Sequence, residues 1–170
     1  MTDDKNSKII NQGTFGYTGN VMATIKRNGK VVKIINRHNA GFYPLFRALA
    51  GCLIGGDYST SMPQYLEAYQ ESASEPIPLR ARVKLMDKHL EDSDGGNNAI
   101  AVFVATIPYT SLALNGAEHP IVKLQLYNQF TDGYPLAEVN LTEQHSEITL
   151  SGSGYSAVIE WRCIVQNSAS

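Results

Sequence analysis

The sequence predicts a mainly β protein: an antiparallel β-sandwich, jelly-roll or immunoglobulin-like, with one short α-helix inserted after an N-terminal hairpin. Three observations predict this fold. Segments of alternating apolar and polar residues recur along the chain, turn residues separate them, and only one segment has helical periodicity. Counting the segments gives about eight or nine strands. The 170 residues suit one domain, which we place at residues 8–167, between an N-terminal arm at 1–7 and a C-terminal tail at 168–170.

The composition indicates a folded, globular protein and argues against several classes of function. Hydrophobic residues make up 43% of the chain and charged residues 18%, so the chain has ample apolar surface to bury. The formal net charge of −2 disfavours direct binding of nucleic acid or of an anionic membrane. No apolar run approaches the roughly 18 residues of a membrane span. Residues 1–7 are polar and acidic, so we expect no secretory signal.

The first predicted element is a hairpin formed by residues 21–26 and 30–35. The Asn-Gly pair at 28–29 is the preferred sequence for a two-residue type I′ turn. The register that follows from this turn gives the hairpin one continuous apolar face. In that register Ile25 lies opposite Val32, and Ala23 lies opposite Ile34.

The predicted helix lies at residues 42–54. Pro44 suits its first turn, and the glycine pair at 55–56 suits its end. So apolar a helix must be covered nearly all round, either by its own domain, which is the commoner arrangement, or by a neighbouring subunit. In the second case it forms an interface through Phe42, Tyr43, Leu45, Phe46, Leu49 and Leu53.

Two strands are predicted in the middle of the chain, at residues 64–69 and 79–85. The second is half-buried, with a basic outer face that either is solvated and protects a sheet edge, or contacts phosphates or an acidic partner. Its apolar positions are Leu79, Ala81, Val83 and Leu85, and its basic ones are Arg80, Arg82 and Lys84.

The next predicted strand, residues 99–107, is apolar on both faces. A strand with two apolar faces is either central and covered twice, or packs against another subunit. Its candidate interface residues are Ile100, Val102 and Val104. The last third of the chain supplies strands at 122–127, 136–141, 148–150 and 157–166. We expect Trp161, the only tryptophan, to anchor the core.

Catalytic and metal-binding motifs are absent from the sequence. Cys52 and Cys163 lie far apart in the sequence, without metal-ligand spacing, and we expect both side chains to be buried as small apolar groups. We also expect the protein to come from a reducing compartment. The loop at 91–98 contains Asp92 and Asp94 but lacks the ordered ligands of a calcium loop, so we interpret it as an acidic turn. We therefore expect no cofactor, no metal and no enzymatic activity.

Two stretches of the chain resemble a known family. The first is HNAG at 38–41 followed by LFRALAGCLIG at 45–55. The second combines IPY at 107–109, LQLYN at 124–128, LAEV at 136–139 and VIEWR at 158–162. Together they resemble small β-sandwich virion proteins of tailed bacteriophages, including those of the crAss-like group. The resemblance implies a structural subunit of the head, neck or tail, located in the virion in many copies. It implies no catalytic residue.

Two classes of function follow. The first is a self-assembling virion protein that contacts copies of itself and other virion proteins through the helix, the strand at 99–107 and the terminal arms. Low charge favours such contacts, since each buried ion must be desolvated. The alternative is a carbohydrate-binding β-sandwich, because exposed tyrosines such as Tyr58, Tyr65 and Tyr69 could stack on sugars. Tyrosine is equally common in protein interfaces, so composition does not decide between the two.

Overall fold

A computed structural model describes residues 14–40, 45, 62–92 and 98–168. Its ten strands form two antiparallel sheets, which confirms a mainly β, antiparallel protein and slightly exceeds the predicted number of strands. Two short 3-10 helices, Tyr109–Ser111 and Thr142–Gln144, also lie in the described part of the chain.

The first sheet has five strands in the order β2-β1-β10-β7-β6. All neighbouring strands in it are antiparallel, and β2 and β6 are its two edges among the described residues. The strands are β1 (Thr14–Arg27), β2 (Lys30–Ala40), β6 (Asp87–Asp92), β7 (Asn98–Pro108) and β10 (Tyr155–Ser168).

The second sheet has the order β4-β3-β8-β9, and β5 also pairs with β3. Its strands are β3 (Tyr65–Gln70), β4 (Ile77–Pro78), β5 (Val83–Lys84), β8 (Ile121–Tyr127) and β9 (Ala137–Asn140). The predicted strand at 64–69 is therefore confirmed to within one residue.

Both sheets contribute to one hydrophobic core. We call the face of the first sheet that bears the core residues its inner face, and the opposite one its outer face. Val21, Ala23 and Ile25 alternate along β1 on the inner face. Trp161 on β10 is fully buried, which confirms that it anchors the core, and Cys163 is buried beside it. Cys52 lies outside the described residues.

The predicted hairpin is present, but its predicted register is wrong. Asn28 and Gly29 form the turn with φ of 48° and 80°, as a type I′ turn requires. Beyond Lys26 and Val31 the ladder shifts, so that Ile25 lies opposite Lys33 and Val32 is the extra residue of a β-bulge. Ala23 then lies opposite Ile35, and Thr24 opposite Ile34.

The long-range pairing of β1 explains this difference. β1 pairs with β10 along its whole length and so lies inside the sheet, with its register fixed by both neighbours. The bulge brings Ile35 and Arg37 of β2 to the inner face, where they are 7% and 5% exposed. Burial of these two residues, rather than of Val32 and Ile34, sets the register of β2.

The regular strand predicted at 79–85 is also not observed. The chain makes two short pairings with β3 instead, through β4 and β5. Leu79 and Leu85 are buried as predicted, but Ala81 is exposed. The strand is interrupted because the chain leaves one sheet for the other here: the N–H of Leu85 donates to Gln64 O, and that of Met86 donates to Val104 O.

Three further sequence predictions have different outcomes. At 148–150, Ile148 forms only an isolated bridge with Ile121, although Ile148 and Leu150 are both fully buried. The predicted helix at 42–54 lies outside the described residues except for Leu45, whose N–H donates to Leu136 O at 3.2 Å. The acidic turn predicted at 91–98 is shorter than expected, because Glu91 and Asp92 end β6 and Asn98 begins β7; residues 93–97 lie outside the described residues.

Candidate functional site

Apolar side chains are exposed at both edges of the first sheet. On β2, Val31, Val32 and Ile34 are 54%, 53% and 56% exposed. At the other edge, Leu90 on β6 and Met86 just before it are 77% and 68% exposed. We call these surfaces the β2 edge and the β6 edge. Unpaired strand edges that carry branched apolar side chains are templates for pairing with another chain.

The two edges differ in charge. β2 carries basic side chains and no carboxylate, whereas acidic side chains predominate on β6. The charged residues are Lys30, Lys33 and Arg37 on β2, and Asp87, Lys88, Glu91 and Asp92 on β6. Lys30 and Lys33 are exposed and form no ion pair within the described part of the chain.

Arg37 is the basic residue of β2 that points inward. Its Nε donates to Asn140 O at 3.1 Å, and its Nη2 lies 2.8 Å from Glu143 Oε2. Asn140 ends β9, so this side chain ties the β2 edge to the second sheet. The free cations of the β2 edge are therefore its two lysines.

A charged network covers the outer face of the first sheet around Val102. Arg162 on β10 and His89 on β6 lie on either side of Val102. Arg162 contacts Glu91, and its Nη1 lies 2.6 Å from Glu160 Oε1. The His89 ring contacts Asp87 at 2.8 Å and Glu91 at 3.2 Å.

The charged network shifts the pKa values of His89 and Glu91. Hydrogen bonds to Glu91 and then to Asp87 raise the pKa of His89 above its usual 6.5. Hydrogen bonds from Arg162 and then from His89 lower the pKa of Glu91 below its usual 4.5. The outer face at this point thus holds a linked set of charges rather than an open apolar surface.

The predicted interface residues differ in how accessible they are to a partner. Val102 is 1% exposed beneath the charged network, and Leu45 is fully buried in the core, so neither side chain is accessible to a partner. Ile100 and Val104 are half-buried on the same outer face as Val102. The others, Phe42, Tyr43, Phe46, Leu49 and Leu53, lie outside the described residues.

Of the basic residues at 80–84, Arg80 and Lys84 are exposed, whereas Arg82 packs against the protein. Its guanidinium lies 3.4 Å from the centroid of the Tyr127 ring, and its Nε donates to Glu67 at 3.1 Å. Its Nη1 donates to Gln129 O and Asp132 O at 2.9 and 2.6 Å. Arg82 thereby holds the loop between β8 and β9 against the second sheet.

That loop presents aromatic side chains to solvent. Tyr134 is 88% exposed and Phe130 is 53% exposed, with Phe130 in edge contact with Tyr65 at 5.6 Å between centroids. Tyr65 and Tyr69, which were expected to be exposed, lie on β3 and are half-buried, and Tyr58 lies outside the described residues. Burial is the largest cause that raises the pKa of Tyr69, whose hydroxyl donates to Glu67 at 3.1 Å.

A groove of about 640 Å³ lies beside the β6 edge. Its lining is mainly apolar and includes Met62, Leu90, Ala101 and Phe103. Ala101 and Phe103 belong to the core, so the groove reaches from the exposed edge to the space between the sheets. The residue pattern of the sequence did not predict this groove, because it depends on where the chain passes from β5 of the second sheet to β6 of the first.

The described residues contain no group of three or more His, Cys, Asp or Glu that could hold a metal ion. Among them there is also no helix long and apolar enough to cross a membrane. Comparison of the chain with protein-family models, with curated proteins and with solved structures finds no match.

Proposed function

We propose that the protein is a non-enzymatic structural subunit of a tailed-phage virion. In this proposal it is a head, neck or tail component that assembles through contacts with copies of itself and with other virion proteins. Its two sheets form a β-sandwich of jelly-roll or immunoglobulin-like type. The exposed β2 edge is the observation that carries the proposal. The resemblance of the sequence to phage virion proteins is the reason for proposing a virion as the assembly.

The composition of the β2 edge supports an assembly role. Sheet proteins usually protect a long edge strand with lysines, a bulge, a covering loop, a proline or inward-pointing charges, and β2 has exposed lysines, a bulge and the inward-pointing Arg37. β2 runs for 11 residues without proline and leaves Val31, Val32 and Ile34 more than half exposed. On a monomer, such exposed apolar residues promote aggregation. On a subunit of an assembly, they can be buried against a neighbour and stabilise the contact.

Light scattering and analysis of virions test this proposal. We expect the purified protein to form particles of defined size, and Ile34→Lys to reduce that size. Tyr134→Lys is the matched control, because it removes an exposed aromatic side chain of the loop between β8 and β9 and leaves the β2 edge intact. Quantitative mass spectrometry of particles of the encoding phage should find many copies of the chain. Absence of the chain from purified particles would refute the virion role.

Carbohydrate binding is a second candidate, favoured by the exposed rings of Phe130 and Tyr134 beside Arg82 and Asp132. Aromatic faces flanked by polar groups can stack on sugar rings and donate hydrogen bonds to them. A glycan array tests this candidate: binding that Tyr134→Ala abolishes supports it, and an array without binders rejects it.

A further inference from the structure

We infer that the end of the molecule beside the Asn28-Gly29 turn binds an acidic saccharide, that is, a sugar that carries a carboxylate or a sulfate group. Two adjoining depressions form the site. Their volumes are about 600 and 330 Å³, and Ser153 lines both. We call the two together the basic cleft. The inference goes beyond the proposed virion role and does not depend on it.

The basic cleft carries positive charge that no carboxylate in its lining neutralises. Arg80 lines the larger depression and Arg27 lines the smaller one, and no Asp or Glu is among the described residues that line either. Both arginines are exposed, and neither forms an ion pair within the described part of the chain. Two such cations in one cleft favour an anionic ligand.

Arg80 is held in place by its backbone and its Nε, and its terminal nitrogens are left free. Its backbone N–H donates to Ser111 O at 3.1 Å, and its Nε donates to Leu112 O at 2.7 Å. Within the described residues, Nη1 and Nη2 have no hydrogen-bond partner. These two nitrogens are paired donors of the kind that binds a carboxylate or a sulfate through two hydrogen bonds.

Hydrogen bonds inside the protein fix the walls of the basic cleft. Gln70 is fully buried, and its Oε1 accepts from the N–H groups of Ala113 and Leu114 at 2.8 and 2.9 Å. Ala113 and Leu114 line the larger depression. At the smaller depression, the N–H of Asn28 donates to Gly154 O at 2.8 Å. A site whose walls are already held loses less conformational entropy when a ligand binds.

The rest of the lining favours a saccharide over a bare anion. Tyr109 in the larger depression and Tyr155 in the smaller are half-buried, and tyrosine rings can pack against the apolar face of a sugar ring. Both depressions fall in the range of roughly 300–1,000 Å³ that small-molecule sites occupy. Uncharged side chains that can exchange hydrogen bonds with sugar hydroxyls also line the cleft, namely Asn28, Thr110, Asn115, Ser151 and Ser153.

Isothermal titration calorimetry with a panel of saccharides tests the inference. The acidic probes are trigalacturonate, sialyllactose and a heparin tetrasaccharide. Maltotriose is the neutral saccharide, and inorganic phosphate is the bare anion. We expect at least one acidic probe to bind with a Kd below about 1 mM, and maltotriose and phosphate to bind it at least about tenfold more weakly. Arg80→Met should weaken binding of that acidic probe by about tenfold or more, because it removes hydrogen bonds to a charged group.

Two control variants show whether binding occurs in the basic cleft. Lys84→Met removes an exposed cation of β5 that does not line the cleft, so it changes the net charge as Arg80→Met does and should leave binding unchanged. Tyr134→Ala alters the exposed aromatic loop between β8 and β9 and should also leave it unchanged. Arg27→Met repeats the test should Arg80→Met fail to fold, as judged by the fluorescence of buried Trp161.

Four outcomes would overturn the inference. These are a panel in which no acidic probe binds, phosphate that binds as tightly as the best saccharide, Lys84→Met that weakens binding as much as Arg80→Met, and binding that is lost in Tyr134→Ala but kept in Arg80→Met. None of them bears on the virion role, which depends on the β2 edge.

Discussion

Ile25 of β1 lies opposite Lys33 of β2, not opposite Val32. The one-residue bulge at Val32 turns Ile35 and Arg37 to the inner face and leaves Val32 and Ile34 in solvent, where Val31 is exposed as well. A single irregularity in one hairpin thus converts a predicted core face into an exposed apolar edge. The proposed assembly role depends on this edge.

Gly116 is expected to be intolerant of any side chain. A Cβ atom there would be closer to the backbone carbonyl oxygen of Leu150 than real Cβ atoms come, and would also meet the Leu112 side chain. Leu150 is fully buried, so the backbone has little room to move. We expect Gly116→Ala to lower the free energy of unfolding by about 1–3 kcal/mol in urea denaturation.

Gly152→Ala is the matched control for that change. A Cβ atom at Gly152 meets nothing within 4 Å, and its φ is ordinary. The substitution should leave stability unchanged or raise it by up to about 1 kcal/mol, because alanine restricts the unfolded chain. Equal losses in the two variants would contradict the close approach at Gly116.

Arg82→Met should loosen the loop between β8 and β9. The change removes the contacts to Glu67, Gln129 and Asp132 and the stacking on Tyr127, which together should cost about 1–3 kcal/mol. Amide exchange in residues 128–135 should accelerate more than exchange in β10. Arg80→Met, which removes one hydrogen bond to Leu112 O from an exposed residue, should cost less. A stable Arg82 variant with a protected loop would refute this role.

Stability should depend on pH through His89 and Glu91. The raised pKa of His89 means that its contribution is full below 6.5 and is lost as pH rises through the folded-state value. The lowered pKa of Glu91 means that its contribution is present above 4.5 and is lost as pH falls through the folded-state value. Between about 4.5 and 6.5 both contributions operate.

Thermal unfolding of His89→Gln checks this dependence. The difference in Tm from the wild type should be largest in that window and should shrink as pH rises above it. The same substitution in a Glu91→Gln background should have a smaller effect, because the main partner of His89 is gone. A difference in Tm that is constant across pH would show that the His89 contacts are not ionic.

The features predicted from sequence depend on neighbouring residues. The Asn28-Gly29 turn, the alternating burial of β10 and the position of Trp161 each follow from a few consecutive side chains. The features that were missed depend on distant parts of the chain. The register of β2 depends on β10, and Val102 is covered by side chains from both β6 and β10. Arg82 contacts residues 45 or more positions away, which no local pattern encodes.

The interface predictions illustrate the same limit. An apolar strand face at Ile100, Val102 and Val104 indicates burial but not what buries it. In the fold, charged side chains of the same chain cover Val102, while exposed apolar surface lies on a strand that was predicted to face the core. A sheet offers its edge strands for pairing with another chain. Which strands are edges depends on the strand order, and no single segment of the sequence predicts that order.

Hydrogen exchange as a function of protein concentration tests the β2 edge most directly. If copies pair through it, amides of Lys30–Ala40 should become more protected as concentration rises. The loop at 128–135 serves as the internal reference and should not change. Protection of β2 that is independent of concentration, or that rises equally in the reference loop, would contradict assembly through this edge.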